Sequence, residues 1–296
     1  LGSSLVVAGT ATMSLLQTLV AAGIAIFIIS VIFTFNDRFG YVTGSPYVIQ
    51  LRLSFGKVGA KFASLLRGIP AIVWYGFQSW TGALALNQIL KIFTNANFNN
   101  TAICFIILQI IQTLIALKGF KKNKVVTSII SVIVMLALSS IFILLVAQHS
   151  SVIQSKLIAV KGSWGLTFFS FIVAFLGNYI ANFESAADSS RELRPNLSNK
   201  YRGLLYFEPI CFAYVITIIT GAMLAAVTGI SSPVNAMAQI FNNNIITMLI
   251  SVFIILGVIT TNSVANIMPP TYILTSLFKL PQNLAIMLVS TLAACS

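Results

Sequence analysis

The sequence predicts an all-α membrane protein. Of its 296 residues, 58% are hydrophobic and only 7% are charged, and the mean hydropathy is +0.97. A soluble body of this size needs more polar surface than this composition supplies. Apolar runs of about 20 residues recur along the chain, which is the length that a helix needs to cross a bilayer. Helices are indicated rather than a β-barrel, because runs such as LVAAGIAIFIISVIFTF are apolar on all sides.

Apolar segments separated by polar loops are predicted to cross the membrane. Residues 1–9 (LGSSLVVAG) look like the second half of an earlier helix, and the last apolar segment is too short to cross. We therefore expect the chain to be part of a longer protein that is cut at both ends. The predicted segments are 11–35, 62–90, 101–117, 125–147, 164–187, 204–228 and 238–262, with the start of another from 284.

Lysine and arginine residues collect in alternate loops. Fourteen of the 17 lie in the loops on one side, as in the segment KGFKKNK, which contains Lys118, Lys121, Lys122 and Lys124. The positive-inside rule assigns that side to the cytoplasm and predicts a multi-pass protein of the cell membrane. Because these loops account for nearly the whole basic excess, the net charge of +12 does not indicate a nucleic-acid partner.

Residue types that carry enzyme chemistry are sparse. Cys104, Cys211 and Cys295 lie singly in or beside apolar segments, so a metal site or a disulfide framework is not expected. The sole histidine, His149, lies in an outer loop, and Asp188 has no second aspartate at membrane depth. Intramembrane hydrolases need a Ser/His pair, an HExxH metal site or a pair of aspartates. The sequence therefore predicts neither an enzyme nor a bound cofactor.

Trp74, Gln78 and Thr81 are spaced i, i+4 and i+7 and form one stripe on a predicted helix. An indole face can stack on a flat heterocycle, and a neutral amide offers both a donor and an acceptor to its edge. The alternative is a tryptophan packed between helices and a glutamine bonded to a neighbouring backbone.

The segment AFLGNYIANFES is a second polar cluster, in which Gly177 and Asn178 are expected to interrupt the helix just before Tyr179. Broken helices at the middle of the membrane expose backbone groups to substrates in transporters.

Glu184, Asp188 and Arg191 follow on one helical face, near the cytoplasmic end. An ion pair that holds the helix end is favoured there over a gate or a proton carrier.

A third cluster lies in GVITTNSVANIMPP. The hydroxyls of Thr260 and Thr261, with a nearby carbonyl, are hard oxygen ligands of the kind that Na⁺ prefers. Asn262 and Asn266 lie one turn apart and could meet Gln78 across a bundle. The alternative is interhelical hydrogen bonding, which contributes about 0.6 kcal/mol per contact.

Three segments together resemble the nucleobase-cation symporter family, which includes hydantoin, allantoin, uracil and cytosine permeases. They are RLSFGKVGAKFASLLRGIPAIVWYGFQSWTGA, the stretch from Gly177 to Arg191, and TTNSVAN. The resemblance implies two inverted repeats of five helices followed by two more helices. On that pattern, residues 1–150 run from the second half of helix 1 to helix 5, and residues 151–296 run from helix 6 to the start of helix 9, within one integral membrane domain.

The resemblance also implies roles for individual residues. Trp74 and Tyr179 would hold the base between their rings, although the family has Trp or Phe where Tyr179 stands. The implied Na⁺ ligands are Thr260, Thr261 and the Gly257 carbonyl. The residues implied to read or support the edge of the base are Gln78, Asn178, Asn262 and Asn266.

The sequence therefore predicts a secondary active transporter that imports a planar nitrogen heterocycle with Na⁺ by alternating access. Its expected partners are a small nucleobase-like molecule and the lipid bilayer. The alternatives are a proton-coupled permease, with Glu184 as the carrier to examine, and an inactive transporter-like chain.

Overall fold

The computed structural model describes residues 6–7, 10–118, 123–162 and 164–296, and most of them are helical. Val6–Val7 pairs with Thr10–Ala11 in a short antiparallel ladder. The prediction that residues 1–9 continue a helix is therefore wrong at Val6–Val7, where two β-branched residues favour a strand. Residues 1–5 and 8–9, like Lys121 and Lys122, lie outside the described residues. The helices are α1 (Leu15–Asn36), α2 (Arg38–Thr43), α3 (Tyr47–Phe93), α4 (Thr101–Leu117), α5 (Asn123–Ile153), α6 (Leu166–Glu184), α7 (Ala186–Ser190), α8 (Asn199–Thr228), α9 (Pro233–Phe241), α10 (Asn244–Thr261), α11 (Met268–Phe278) and α12 (Gln282–Ala294).

Several helices begin at side-chain caps. Ser14 Oγ accepts the Gln17 N–H at 3.2 Å, and Gln17 Oε1 accepts the Ser14 N–H at 3.0 Å, which forms a capping box at the start of α1. Asn100 Oδ1 accepts the Ile103 N–H at the start of α4, and Ser198 Oγ accepts the Tyr201 N–H at the start of α8. These caps satisfy N–H groups that the first turn of a helix leaves unpaired.

The predicted loop at 36–61 is wrong, because the structure has α2 and the first turns of α3 there. Arg52, Lys57 and Lys61 lower the hydropathy of this stretch but are compatible with a helix. Gly56 has a φ of +65° and kinks α3 near its start. That backbone conformation favours glycine.

The apolar segment predicted to end at 262 continues to Phe278. The π-turn Asn262–Ile267 joins α10 to α11, and Pro269 and Pro270 lie in the first turn of α11. Proline is tolerated there because the first N–H groups of a helix need no partner within the helix. The two prolines therefore start a new helical segment and do not end the span.

Helix α6 runs unbroken from Leu166 to Glu184, so the predicted interruption at Gly177 and Asn178 is wrong. The Asn178 side chain does not compete with the helix backbone. Its Nδ2 group donates to the Tyr214 hydroxyl at 3.1 Å. The polar residue therefore serves a contact between side chains.

The described chain forms two compact units. In unit 1, α1 packs against α8. In unit 2, α3 packs against α4, α10, α11 and α12. The division into repeats at 1–150 and 151–296 differs from these units and stays a prediction. Unit 1 comprises Leu1–Arg38, Met135–Phe183 and Arg194–Asn243, and unit 2 comprises Phe39–Val134, Glu184–Leu193 and Asn244–Ser296.

Four segments of the described residues are long and apolar enough to cross a membrane. Shorter apolar helices occur at Thr101–Leu117, Leu166–Ile180 and Gln282–Ala294. The part of α3 at 62–90, which was predicted to cross the membrane, is not one of the four long segments, because the polar stripe that contains Gln78 and Thr81 lowers its mean hydropathy. The four segments are Leu15–Thr43, Ser128–Ile158, Asn199–Thr228 and Asn244–Phe278.

Candidate functional site

A chain of hydrogen-bonded neutral side chains lies inside unit 2, and we call it the amide chain. Helix α3 contributes Gln78 and Ser79, α4 contributes Gln112, and the π-turn contributes Asn262 and Asn266. Asn266 Nδ2 donates to Gln78 Oε1 at 3.2 Å and to Asn262 Oδ1 at 2.8 Å. Asn262 Nδ2 donates to Gln112 Oε1 at 2.9 Å and to Ser79 Oγ at 3.3 Å, and Gln112 Nε2 donates to Ser79 Oγ at 2.9 Å. The contact between Asn266 and Gln78 that the sequence suggested is therefore present.

The amide chain has a closed end and an open end. Ser79, Gln112 and Asn262 are fully buried and Asn266 is buried as well, whereas Gln78 is half-buried. The bonds described above leave Gln78 Nε2 and Asn266 Oδ1 unused. A free amide donor and a free amide acceptor on contacting side chains can complement the N–H and C=O groups at the edge of a lactam or a ureide.

Arg67 holds the π-turn from the side of α3. Its guanidinium is buried, and Nη2 donates to the Ala265 carbonyl at 2.8 Å. Its Nε group donates to Ser185 Oγ at 2.9 Å. Because a π-turn leaves a backbone carbonyl outside the usual helical pattern, this donor supports the turn that carries Asn262 and Asn266.

Trp74 lies one helical turn before Gln78 on α3 and is half-buried, as is Thr81. The predicted stripe is therefore formed on a continuous helix. The Trp74 ring meets the edge of Phe77 with ring centroids 5.5 Å apart and an interplanar angle of 86°. An indole next to the open end of the amide chain can offer a stacking face to a flat ring.

Tyr179 lies in unit 1, within a group of aromatic rings. It is parallel to Phe175 with centroids 6.3 Å apart, and Tyr214 meets it edge to face at 5.2 Å. Asn178 is bonded to the same Tyr214 hydroxyl. The structure thus brings Asn178 and Tyr179 together. Their predicted role in substrate binding, together with Trp74, stays a prediction.

The three oxygens predicted to bind Na⁺ lie at the end of α10. Thr260 Oγ1 donates to the carbonyls of Leu256 and Gly257, both at 2.9 Å. The Thr261 side chain is exposed. Uncharged oxygens suit Na⁺ chemically, and two of the three are already adjacent. The Na⁺ site itself stays a prediction.

Glu184, Asp188 and Arg191 follow α6 and belong to unit 2. Asp188 Oδ1 accepts the backbone N–H of Tyr47 at 2.9 Å, at the first turn of α3. Arg191 Nε donates to the Asp188 backbone carbonyl at 3.2 Å, and its guanidinium lies 6.0 Å from the centre of the Tyr272 ring. Burial raises the pKa of the Asp188 carboxyl, although the Tyr47 N–H and nearby arginines oppose this shift. The carboxylate therefore caps a helix, and Arg191 approaches the backbone.

Unit 1 contains a buried ion pair that sequence reasoning did not single out. Arg202 Nε donates to Asp37 Oδ2 at 2.8 Å, and Arg202 Nη2 donates to Asp37 Oδ1 at 3.1 Å. The Tyr206 hydroxyl donates to Asp37 Oδ2 at 3.0 Å. The relative exposure of the two charged side chains is 0% for Asp37 and 3% for Arg202. The pair joins the end of α1 to the start of α8.

Three residues of unit 2 were also missed: Ser79, Gln112 and Arg67. Gln112 could have been found, because it interrupts the apolar helix TAICFIILQIIQTLIAL, and polar residues within spans are functional candidates. Arg67 was counted only among the basic residues of the cytoplasmic side, just inside a predicted helix. Ser79 carries no sequence signal, since serine is common in membrane helices.

Apolar helices that bury a chain of neutral amides are typical of multi-pass membrane proteins with a polar site inside the membrane. The family model described as a permease for cytosine/purines, uracil, thiamine and allantoin matches residues 3–295. The chain belongs to this permease family, which places it in the cell membrane and outside the enzymes.

Individual relatives agree with the family. The chain is 27% identical over 272 residues to the hydantoin permease of Microbacterium maritypicum, a match that covers 88% of the chain and 54% of that permease. It spans about half of that relative's length. Its fold resembles Mhp1, a nucleobase-cation-symport-1 family transporter, in a closed conformation with bromovinylhydantoin bound. The TM-score is 0.82 at 21% identity, with 99% of this chain and 68% of that chain covered. For the inward-facing conformation of Mhp1 the TM-score is 0.81 at 20% identity, with 99% and 67% covered.

Proposed function

We propose that the protein transports a planar nitrogen heterocycle of the nucleobase or hydantoin type across the membrane by alternating access. The observation that carries this proposal is the open end of the amide chain beside Trp74. Gln78 Nε2 and Asn266 Oδ1 supply one donor and one acceptor, and Trp74 lies one turn away on the same helix. This set recognises the edge and the face of a flat lactam ring.

The comparisons support the same substrate class. The family description names cytosine, purines, uracil and allantoin, and one relative is a hydantoin permease. Mhp1 binds bromovinylhydantoin in its closed conformation, and an inward-facing conformation of it exists. Alternating access around a fixed site is therefore the transport mechanism that we propose for this protein.

Trp74→Ala tests the proposal. We expect the affinity for the heterocycle to fall by about 5- to 150-fold, since stacking of a base on an aromatic ring contributes about 1–3 kcal/mol. The measurement is binding and uptake of labelled uracil, cytosine, hydantoin and allantoin by purified protein in liposomes. Trp80→Ala is the matched control, because Trp80 lies on the same helix with its side chain exposed. Equal binding by the two variants would contradict the proposal.

Coupling to Na⁺ is the finer part of the proposal. It is supported by the adjacent oxygens of Thr260 and Gly257, whose lone pairs a cation can share. The competing candidate is coupling to protons through Glu184, because its Oε2 atom is buried without a hydrogen-bond partner. Uptake driven by a Na⁺ gradient at equal pH supports the first candidate. Uptake that follows only a proton gradient, and is lost in Glu184→Gln, supports the second.

A further inference from the structure

Two exposed lysines lie one turn apart on α3. The helix bends at Gly56, and Lys57 and Lys61 follow directly after the bend. Residues that are four positions apart lie on the same face of a helix. The two ammonium groups can therefore meet one ligand at the same time.

The protein itself does not neutralise these two charges. Neither lysine side chain forms an ion pair with any of the described residues. The sequence contains no acidic residue between Asp37 and Glu184. Asp188 approaches the start of α3, but its carboxylate accepts the backbone N–H of Tyr47. The two lysines are therefore available to an anion from outside the chain.

A row of exposed apolar side chains begins beside the lysines. Val58, Phe62 and Leu66 follow one another at intervals of four residues and are 69%, 70% and 68% exposed. Ala60 and Ser64, on the other face of the helix, are fully buried. In a membrane protein, an apolar row that faces outward contacts the acyl chains of lipids.

The lysines lie at the cytoplasmic end of this apolar row. The positive-inside rule assigns their stretch of the chain to the cytoplasmic side. A lysine lays its apolar stem along such a surface and holds its ammonium group at the level of the lipid headgroups. The cytoplasmic leaflet is the one that carries anionic lipids. The charges and the row thus match the two parts of an anionic phospholipid.

We propose that Lys57 and Lys61 bind the headgroup of an anionic phospholipid, such as phosphatidylglycerol, and that Val58 and Phe62 contact its acyl chains. The net negative charge of the headgroup distinguishes this lipid from phosphatidylcholine, which carries its own cation. The site is separate from the amide chain, and the proposal does not depend on the proposed function.

Native mass spectrometry of the purified protein, titrated with phosphatidylglycerol or phosphatidylcholine, measures the dissociation constant of the first bound lipid. A lysine near anionic lipid strengthens binding by about five-fold. With two lysines, we expect phosphatidylglycerol to bind at least about ten-fold more tightly than phosphatidylcholine. Lys57→Gln combined with Lys61→Gln should weaken binding of phosphatidylglycerol by at least about ten-fold and leave that of phosphatidylcholine within about two-fold.

Lys91→Gln is the matched control, because Lys91 is an exposed lysine at the other end of the same helix. It should keep the lipid preference of the unaltered protein. Lys57→Arg combined with Lys61→Arg should keep it as well, since both charges are retained. These substitutions change only exposed side chains, so thermal unfolding without added lipid should be the same in all variants.

The acyl contact separates a lipid from free phosphate as the ligand. Val58→Ser combined with Phe62→Ser should weaken binding of both lipids by similar factors, because both have acyl chains. Excess inorganic phosphate at constant ionic strength should not displace phosphatidylglycerol, since phosphate lacks the apolar part of the ligand.

Three results would overturn the proposal: equal binding of the two lipids by the unaltered protein, an equal loss of phosphatidylglycerol in Lys91→Gln and in the paired glutamine variant, or displacement of phosphatidylglycerol by inorganic phosphate. None of them bears on the transport of a heterocycle, because no heterocycle takes part in these measurements. The proposed function is instead tested by the binding and uptake measurements on Trp74→Ala.

Discussion

Each unit of the molecule buries a polar network, and the two networks are built differently. In unit 1 the network is charged: Asp37 receives Arg202 through two parallel hydrogen bonds and Tyr206 through a third. In unit 2 the network is neutral and ends in a donor on Gln78 and an acceptor on Asn266. The charged network is closed on itself, whereas the neutral one is open at one end.

Desolvation explains the difference. A buried charge needs nearly complete compensation, so a carboxylate in unit 1 is surrounded by donors from α8. A neutral amide costs much less to bury, so it can keep an unpaired group, as half-buried Gln78 and buried Asn266 do. An open neutral end can exchange partners with a passing ligand. We therefore expect the closed network to determine stability and the open one to determine recognition.

The largest effect is expected from breaking the closed network. Asp37→Asn leaves Arg202 buried without its counter-ion and should reduce the free energy of unfolding by about 3–5 kcal/mol. The ligand affinity of the folded fraction should stay unchanged. The fraction of protein that remains monodisperse on heating measures the loss of stability. Ligand titration measures the affinity of the folded fraction.

Glu208→Gln is the control for this prediction, since Glu208 is an exposed carboxylate on the same helix as Arg202. It should unfold like the unaltered protein. If Asp37→Asn were as stable as this control but bound ligand poorly, the assignment of stability to unit 1 would be wrong.

The open network should respond in the opposite way. Asn266→Leu removes the acceptor at the open end and should weaken binding of uracil or hydantoin by about 5- to 100-fold. Loss of the two hydrogen bonds that Asn266 donates should reduce the free energy of unfolding by only about 1 kcal/mol, because such bonds contribute little within a membrane. Isothermal titration and thermal unfolding of the same preparation separate the two effects.

Thr275→Val is the matched control for Asn266→Leu. Thr275 lies on α11, and its hydroxyl bonds to the Tyr272 carbonyl of its own helix. Binding should be unaffected in this variant. A loss of stability in Asn266→Leu as large as that expected for Asp37→Asn would remove the distinction between the two networks.

Hydropathy allowed the spans to be predicted, and its limits explain most of the errors. The prediction of 101–117 agrees with Thr101–Leu117, because apolar residues begin directly after the cap at Asn100. Helix at 36–61 was missed since charge lowers hydropathy without opposing helix formation. The break predicted at Gly177 was wrong because one glycine within a helix costs only about 1 kcal/mol, and the apolar residues on both sides continue the helix.

Polar residues were predictable individually, and so was the contact between Asn266 and Gln78, but the rest of the network was not. Gln78, Asn262 and Asn266 could be chosen because each is polar within an apolar segment. The position of Asn262 beside Gln112 and Ser79 depends on the packing of α4 and the π-turn against α3, which is a long-range property. Asp37 and Arg202 are separated by most of the sequence, and their pairing has no local pattern.

The smallest effect is expected at the edge of the closed network. Tyr206→Phe removes the hydrogen bond from the Tyr206 hydroxyl to Asp37 and leaves the two from Arg202 in place, so stability should fall by about 1 kcal/mol. Tyr201→Phe is the control, because Tyr201 lies on the same helix with its side chain exposed. Thermal unfolding should rank Tyr206→Phe between this control and Asp37→Asn, with ligand affinity equal in all three. A larger loss than in Asp37→Asn would mean that the hydroxyl, and not the ion pair, joins α1 to α8, and the contrast between charged and neutral networks would have to be abandoned for unit 1.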